Sequence, residues 1–143
     1  MWPISQPSPE VKQLVHRFFS LVDTNSEEVG QTIADEIFTQ DGLMVTANAM
    51  FQGSAEISQS RKGAWTTVKS RRHSILKSYV NDADGTDLFL IGNLKMKTLD
   101  GTQMNMEFVA RMKIIEQQSG PRIRKYQVVS PTPQVAWPIM EAE

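Results

Sequence analysis

Two histidines, His16 and His73, and no cysteine make up the obvious chemical equipment of this 143-residue chain. An imidazole titrates near neutrality, so His73 suits work as a general acid and base. A carboxylate beside it, such as Asp23, would orient the ring and stabilise its charged form. Asp23 has a second reading, because Asp23-Thr24-Asn25-Ser26 is also good helix-capping sequence. Glu107 and Arg111 lie four apart and share a face of any strand that carries them. They read as an outer-face or interface pair with Lys95 and Lys97 across the ladder. If a bulge flipped the strand, they would instead enter a pocket as acid and oxyanion partner.

The absent groups exclude more. Without cysteine there is no disulfide, thiolate nucleophile or cysteine metal site, and two histidines cannot make a three-histidine zinc centre. The chain has no phosphate-binding glycine loop, nucleophile elbow or His-Glu-x-x-His. The expected chemistry therefore needs no cofactor and no metal.

These groups must be positioned by helices first and strands later. Ser8 caps a helix with Pro9 in its first turn, and Val11, Leu14, Val15, Phe18, Phe19 and Val22 give it one apolar face, with His16 beside the stripe. Asn25 or Ser26 starts a second helix whose stripe runs Val29, Ile33, Ala34, Ile37. Asp41-Gly42 reads as a turn before two short strands, 43–46 and 49–52. Ser54 caps a third helix that buries Ile57, Ala64, Trp65 and Val68. From Arg71 the period switches to two, giving long strands over 72–80, 86–98, 102–115 and 122–129. The separators Asp82-Ala83-Asp84-Gly85, Asp100-Gly101 and Gln117-Gln118-Ser119-Gly120 carry hairpin chemistry, so the strands form an antiparallel meander. The segment 82–87 is too short for a calcium loop and reads as a turn.

Alternation assigns the faces. Leu88, Leu90, Leu94, Met96, Met104, Met106, Phe108 and Met112 share the face that meets the helices. A sheet curved round three helices leaves a cone-shaped apolar cavity, which Phe38, Met50 and Trp65 also line in this reading. Methionine-rich walls suit a bulky, irregular ligand. Phe89, Ile91 and Val109 on the opposite face point to a homodimer interface. Arg61, Lys62, Lys69, Arg71 and Arg72 read as a solvated helix end able to steer an anion.

The element order resembles the nuclear transport factor 2-like superfamily, and within it the fungal SnoaL-like (polyketide cyclase-like) and scytalone dehydratase-like branch. The resemblance is carried by Arg72-His73-Ser74-Ile75, Gly92-Asn93-Leu94, Met106-Glu107-Phe108-Val109-Ala110-Arg111-Met112 and Lys125-Tyr126-Gln127-Val128-Val129. It implies an α+β cone-shaped barrel, with three N-terminal helices on a curved, mostly antiparallel sheet ending in the four-stranded meander. It also implies that His73 and Asp23 occupy the positions of a dehydratase histidine and its acid. The family's second histidine falls near Thr98, and the strand carboxylate of isomerases and cyclases falls on Ala110. Of Tyr126 and Gln127, which face opposite ways, the strand match favours Gln127 as the inward residue.

Composition bounds the setting. Fifteen basic against sixteen acidic residues leave a net charge of −1, without the footprint of a nucleic-acid or membrane binder. No apolar run is long enough for a bilayer, and the start of the chain does not read as a signal peptide, so a soluble cytoplasmic protein is expected. One domain over 8–131 is expected between a flexible lead-in, 1–7, and a Pro-containing tail, 132–143. The expected function is isomerisation, cyclisation or dehydration of a hydrophobic secondary-metabolite intermediate, a polyketide or terpenoid hybrid. His73 and Asp23 would be catalytic. Thr98 and Gln127 would hydrogen-bond the substrate, and Met96, Phe108, Met112, Trp65, Phe38 and Met50 would shape its site. The alternative is a non-catalytic ligand carrier or dimeric scaffold.

Overall fold

A computed structural model describes residues 6–130. Helix α1, Pro9–Val22, starts where Ser8 Oγ accepts the Val11 N–H at 3.2 Å, and it buries Val11, Leu14, Val15, Phe18, Phe19 and Val22. Helix α2, Val29–Thr32, runs directly into a π-helical turn, Ile33–Ile37, which buries Ile33, Ala34 and Ile37. Strand β1, Phe38–Val45, and strand β2, Met50–Gln52, form a short hairpin, and helix α3, Gly53–Ser58, follows. The meander is β3, Val68–Val80; β4, Asp87–Thr98; β5, Gln103–Gln117; and β6, Gly120–Ser130.

All six strands join in one sheet in the order β2-β1-β6-β5-β4-β3, antiparallel except for β1 beside β6. The α+β architecture is the expected one: helices against a curved sheet with the core between them. Phe18, Ile33, Ile37 and Ile57 meet Leu88, Leu90, Met112 and Ile123 in that core.

Three local expectations need correction. Asp41-Gly42 is no turn but lies inside β1, where the register with β6 shifts between Phe38 and Leu43; Thr39 Oγ1 donates to Asp41 Oδ1 at 2.9 Å there. The third helix stops at Ser58, and Ser54 does not cap it: its hydroxyl donates to Gln40 O, while Glu56 Oε1 accepts the Gln52 N–H at 2.9 Å. Beyond Ser58 the chain continues as successive tight turns, with Ser60 N bonded to Ile57 O, Lys62 N to Gln59 O and Ala64 N to Arg61 O. Gly63, at φ 75°, takes a conformation that no residue of an α-helix adopts. The run that read as a helix face therefore folds over the mouth of the sheet. Of the expected lead-in, Pro7 is buried; residues 1–5 and the tail 132–143 lie outside the described residues.

Among the described residues no helix is long and apolar enough to cross a membrane.

Candidate functional site

A cavity of about 520 Å³ opens between α1, the 46–49 loop, the 60–64 turns and the inward faces of β3 to β6. Its walls are mostly apolar: Phe18, Phe19 and Val22 from the helix, Met44 and Phe51 from the hairpin, and Leu94, Met96, Met106, Phe108 and Val128 from the meander. Strand pairing explains this. Leu94 faces Met106, and Gly92 faces Phe108 across the β4–β5 ladder, whose register runs without a shift from Asp87 to Lys97.

His73 enters this wall from β3, opposite Leu94. Asp23, the residue that ends α1, reaches it with both carboxylate oxygens. Oδ2 accepts the His73 backbone N–H at 2.6 Å, and Oδ1 lies 2.6 Å from the ring Nδ1. The two side chains are only 11% and 16% exposed, so water barely competes for this pair. The ring is also packed between Phe19, at 5.2 Å between centroids, and Phe108, edge-on at 5.5 Å. An ionised carboxylate only accepts, so it selects the Nδ1–H tautomer and leaves the Nε2 lone pair as the basic one.

Gly92 makes the Phe108 position possible. A Cβ at residue 92 would stand 2.3 Å from Phe108 Cζ and 2.8 Å from Ser74 O, so only a bare backbone lets the phenyl ring cross β4.

Two arginines complete the polar part of the wall. Arg61 Nη2 donates to Val22 O at 2.9 Å, and Arg71 Nη2 donates to Ala64 O at 3.0 Å, with its guanidinium 4.8 Å above the Trp65 ring. Burial and the neighbouring Arg71 lower the Arg61 pKa to about 10, against the pull of Asp23 and Tyr126. Burial lowers Arg71 as well, with Asp23 opposing. Tyr126 is buried beside them, and that burial raises its phenol well above the ordinary value, Arg61 opposing. The expectation of a solvated helix end missed these two arginines. Their spacing from Lys62, Lys69 and Arg72, all exposed, carries no mark of burial; only the turns after Ser58 turn Arg61 inward.

Other expected site residues fall elsewhere. Gln127 pairs with Arg111 on the outer face, and Tyr126 lines the cavity instead. The cause is an extra residue in β6: Ile114 faces Ile123 but Lys113 faces Lys125, so the parity switches. Thr98 ends β4 and donates to Asp100 Oδ1, away from the cavity. Met96 and Phe108 line it, but Met112 lies deeper, in the core, and so does Phe38. Of the other strand methionines, Met106 lines the cavity, while Met104 is 37% exposed. Trp65 borders a separate cleft with Asn25 and Lys62. Met50 is 64% exposed, and its neighbour Phe51 turns in. Arg111 is held on the outer face by Asp87, at 2.7 Å, rather than by Glu107. Glu107 is exposed and borders the cavity. Among the described residues no three His, Asp or Glu side chains converge closely enough to hold a metal ion.

This arrangement of helices in a curved six-stranded sheet is the nuclear transport factor 2-like fold. A superfamily protein of that name from Salmonella enterica superposes with a TM-score of 0.67 at 13% identity, over 86% of this chain and 89% of the other. ActVI-ORFA from Streptomyces coelicolor superposes at 0.67 and 15% identity, covering 84% and 93%. A scytalone dehydratase-like protein from Novosphingobium aromaticivorans superposes at 0.70 and 8% identity, covering 83% and 80%. No protein-family model matches the sequence, and no curated protein does.

Proposed function

We propose that the protein is a cofactor-independent acid–base enzyme that isomerises, cyclises or dehydrates a hydrophobic secondary-metabolite intermediate, a polyketide or terpenoid hybrid. The observation that carries this reading is the Asp23–His73 pair set into an apolar cavity. His73 Nε2 takes a proton from a carbon next to a carbonyl, and Asp23 stabilises the imidazolium that forms. The same proton is then returned to another carbon, for isomerisation or ring closure, or to a departing hydroxyl, which leaves as water. Such a reaction asks for positioning plus one general acid–base group, worth about 10²–10⁴-fold in rate. The protein works as a homodimer through the outer face of β4 and β5, in the cytoplasm.

Incubating the protein with candidate intermediates and following a mass-neutral or minus-water product by mass spectrometry tests this. His73→Ala should lose about a hundredfold or more of the rate while keeping its fold. Full activity in that variant would overturn the assignment. Binding without conversion across every candidate would favour a carrier, the reading to which Ala110 in the core and Thr98 outside the cavity lend support.

A further inference from the structure

The arginines have donors to spare. Each spends one N–H on a main-chain carbonyl, which fixes the guanidinium, yet Arg61 Nε and Arg71 Nη1 are buried with no hydrogen-bond partner. Ser60 Oγ, on the same stretch of cavity wall, is buried and unpartnered too. Leaving a buried donor unpaired is unfavourable, and these three lie together on the wall of one cavity. Charge tells the same story. The carboxylate whose charge acts on both arginines is Asp23, and its two oxygens are already engaged by His73. Of the other charged groups bordering the cavity, Lys62 adds positive charge and Glu107 is exposed to solvent.

We propose that Arg61, Arg71 and Ser60 form an anion subsite that takes a carboxylate carried by an otherwise apolar substrate. This deepens the acid–base reading by naming the substrate class. A planar carboxylate has two oxygens, enough for one guanidinium edge each, and a negative charge that offsets part of the positive surplus the two arginines bring to the cavity. The rest of the molecule lies against Phe19, Met96, Met106 and Phe108, which places its reacting carbon near the imidazole. The carboxylate thus serves as the handle that orients a body the apolar walls could hold in many poses.

Calorimetric titration of the full chain with 2-naphthoate and with 2-naphthamide, matched in shape and differing in charge, tests the subsite. In the wild type the acid should bind roughly tenfold or more tightly than the amide. In Arg61→Gln and in Arg71→Gln, checked for folding by circular dichroism, that preference should shrink to about twofold or less, with amide binding unchanged. Equal affinities in the wild type, no naphthoate binding at millimolar concentration, or a full preference surviving in both folded variants would each overturn the proposal. His73→Ala should keep the preference. If that variant keeps both the preference and full turnover, the subsite stands and only the proton-transfer reading fails.

Discussion

Asp23 grips His73 twice, once through the backbone N–H and once through the ring, both at 2.6 Å. The residues are fifty positions apart, so this contact joins the end of the first helix to the third strand and sets the imidazole angle and tautomer together.

Asp23→Asn is the sharpest probe of that grip. An amide oxygen can still accept the backbone N–H, so the fold should survive. Its NH₂ group, however, meets Nδ1 as a donor and drives the proton to Nε2. Nitrogen–proton correlation spectra should show the Nδ1–H tautomer in the wild type and Nε2–H in the variant, without any substrate. Turnover should fall about a hundredfold or more, and Asp23→Asn/His73→Ala should be no slower than His73→Ala alone. Additive losses would show that the two side chains do not act as a unit.

Gly92→Ala should disturb the same ring from the other side. The new methyl collides with Phe108, which packs edge-on against His73, and with the fixed Ser74 carbonyl. Overpacking of this kind costs about 1–3 kcal/mol. Thermal unfolding should register the loss, and Phe108→Leu added to Gly92→Ala should restore only part of it, because the carbonyl cannot move aside. A neutral Gly92→Ala would mean that the β4 backbone gives way.

Acid should expose the outer-face pair. Arg111 donates to both oxygens of Asp87, at 3.0 and 2.7 Å, and holds that carboxyl below its ordinary pKa. A depressed carboxyl contributes stability that is complete above its unfolded pKa and disappears as pH falls through the folded value. Asp87→Asn should therefore be less stable than the wild type at pH 7, and the difference should close below about pH 4. The gap should be small, since Arg111 is 42% exposed and solvent screens the pair. A gap that widens in acid would contradict this sign.

Much of this fold can be read in the residues themselves. Ser8 and Pro9 start a helix by chemistry that no partner alters, and period-two alternation broken by glycine turns leaves a meander as the simplest outcome. The faces of β4 and β5 follow by counting, because their ladder has no bulge. Local pattern fails in β6, where one extra residue between Ile123 and Lys125 turns Tyr126 inward in place of Gln127, the residue that the strand match favoured. It fails again at Arg61: a guanidinium that bonds Val22 O from 39 residues away looks, in sequence, like any solvated arginine. Burial of a long charged side chain is decided by the path of the chain around it, which local pattern does not encode.

Ile91 and Val109 stand opposite one another in the β4–β5 ladder, and Phe89 lies beside them under the Arg111 guanidinium, 5.7 Å from its ring centroid. All three point away from the core, where alternation would place polar side chains on a solvated sheet. A partly exposed apolar cluster of this kind is a surface that a second copy of the chain would cover. Sedimentation equilibrium should therefore return twice the 16.1 kDa chain mass at micromolar concentration. Ile91→Lys puts a charge at the centre of the patch and should shift the mass toward one chain, with circular dichroism unchanged because the side chain lies outside the core. A wild-type mass of one chain at every concentration would refute the dimer and leave the apolar cluster as bare surface.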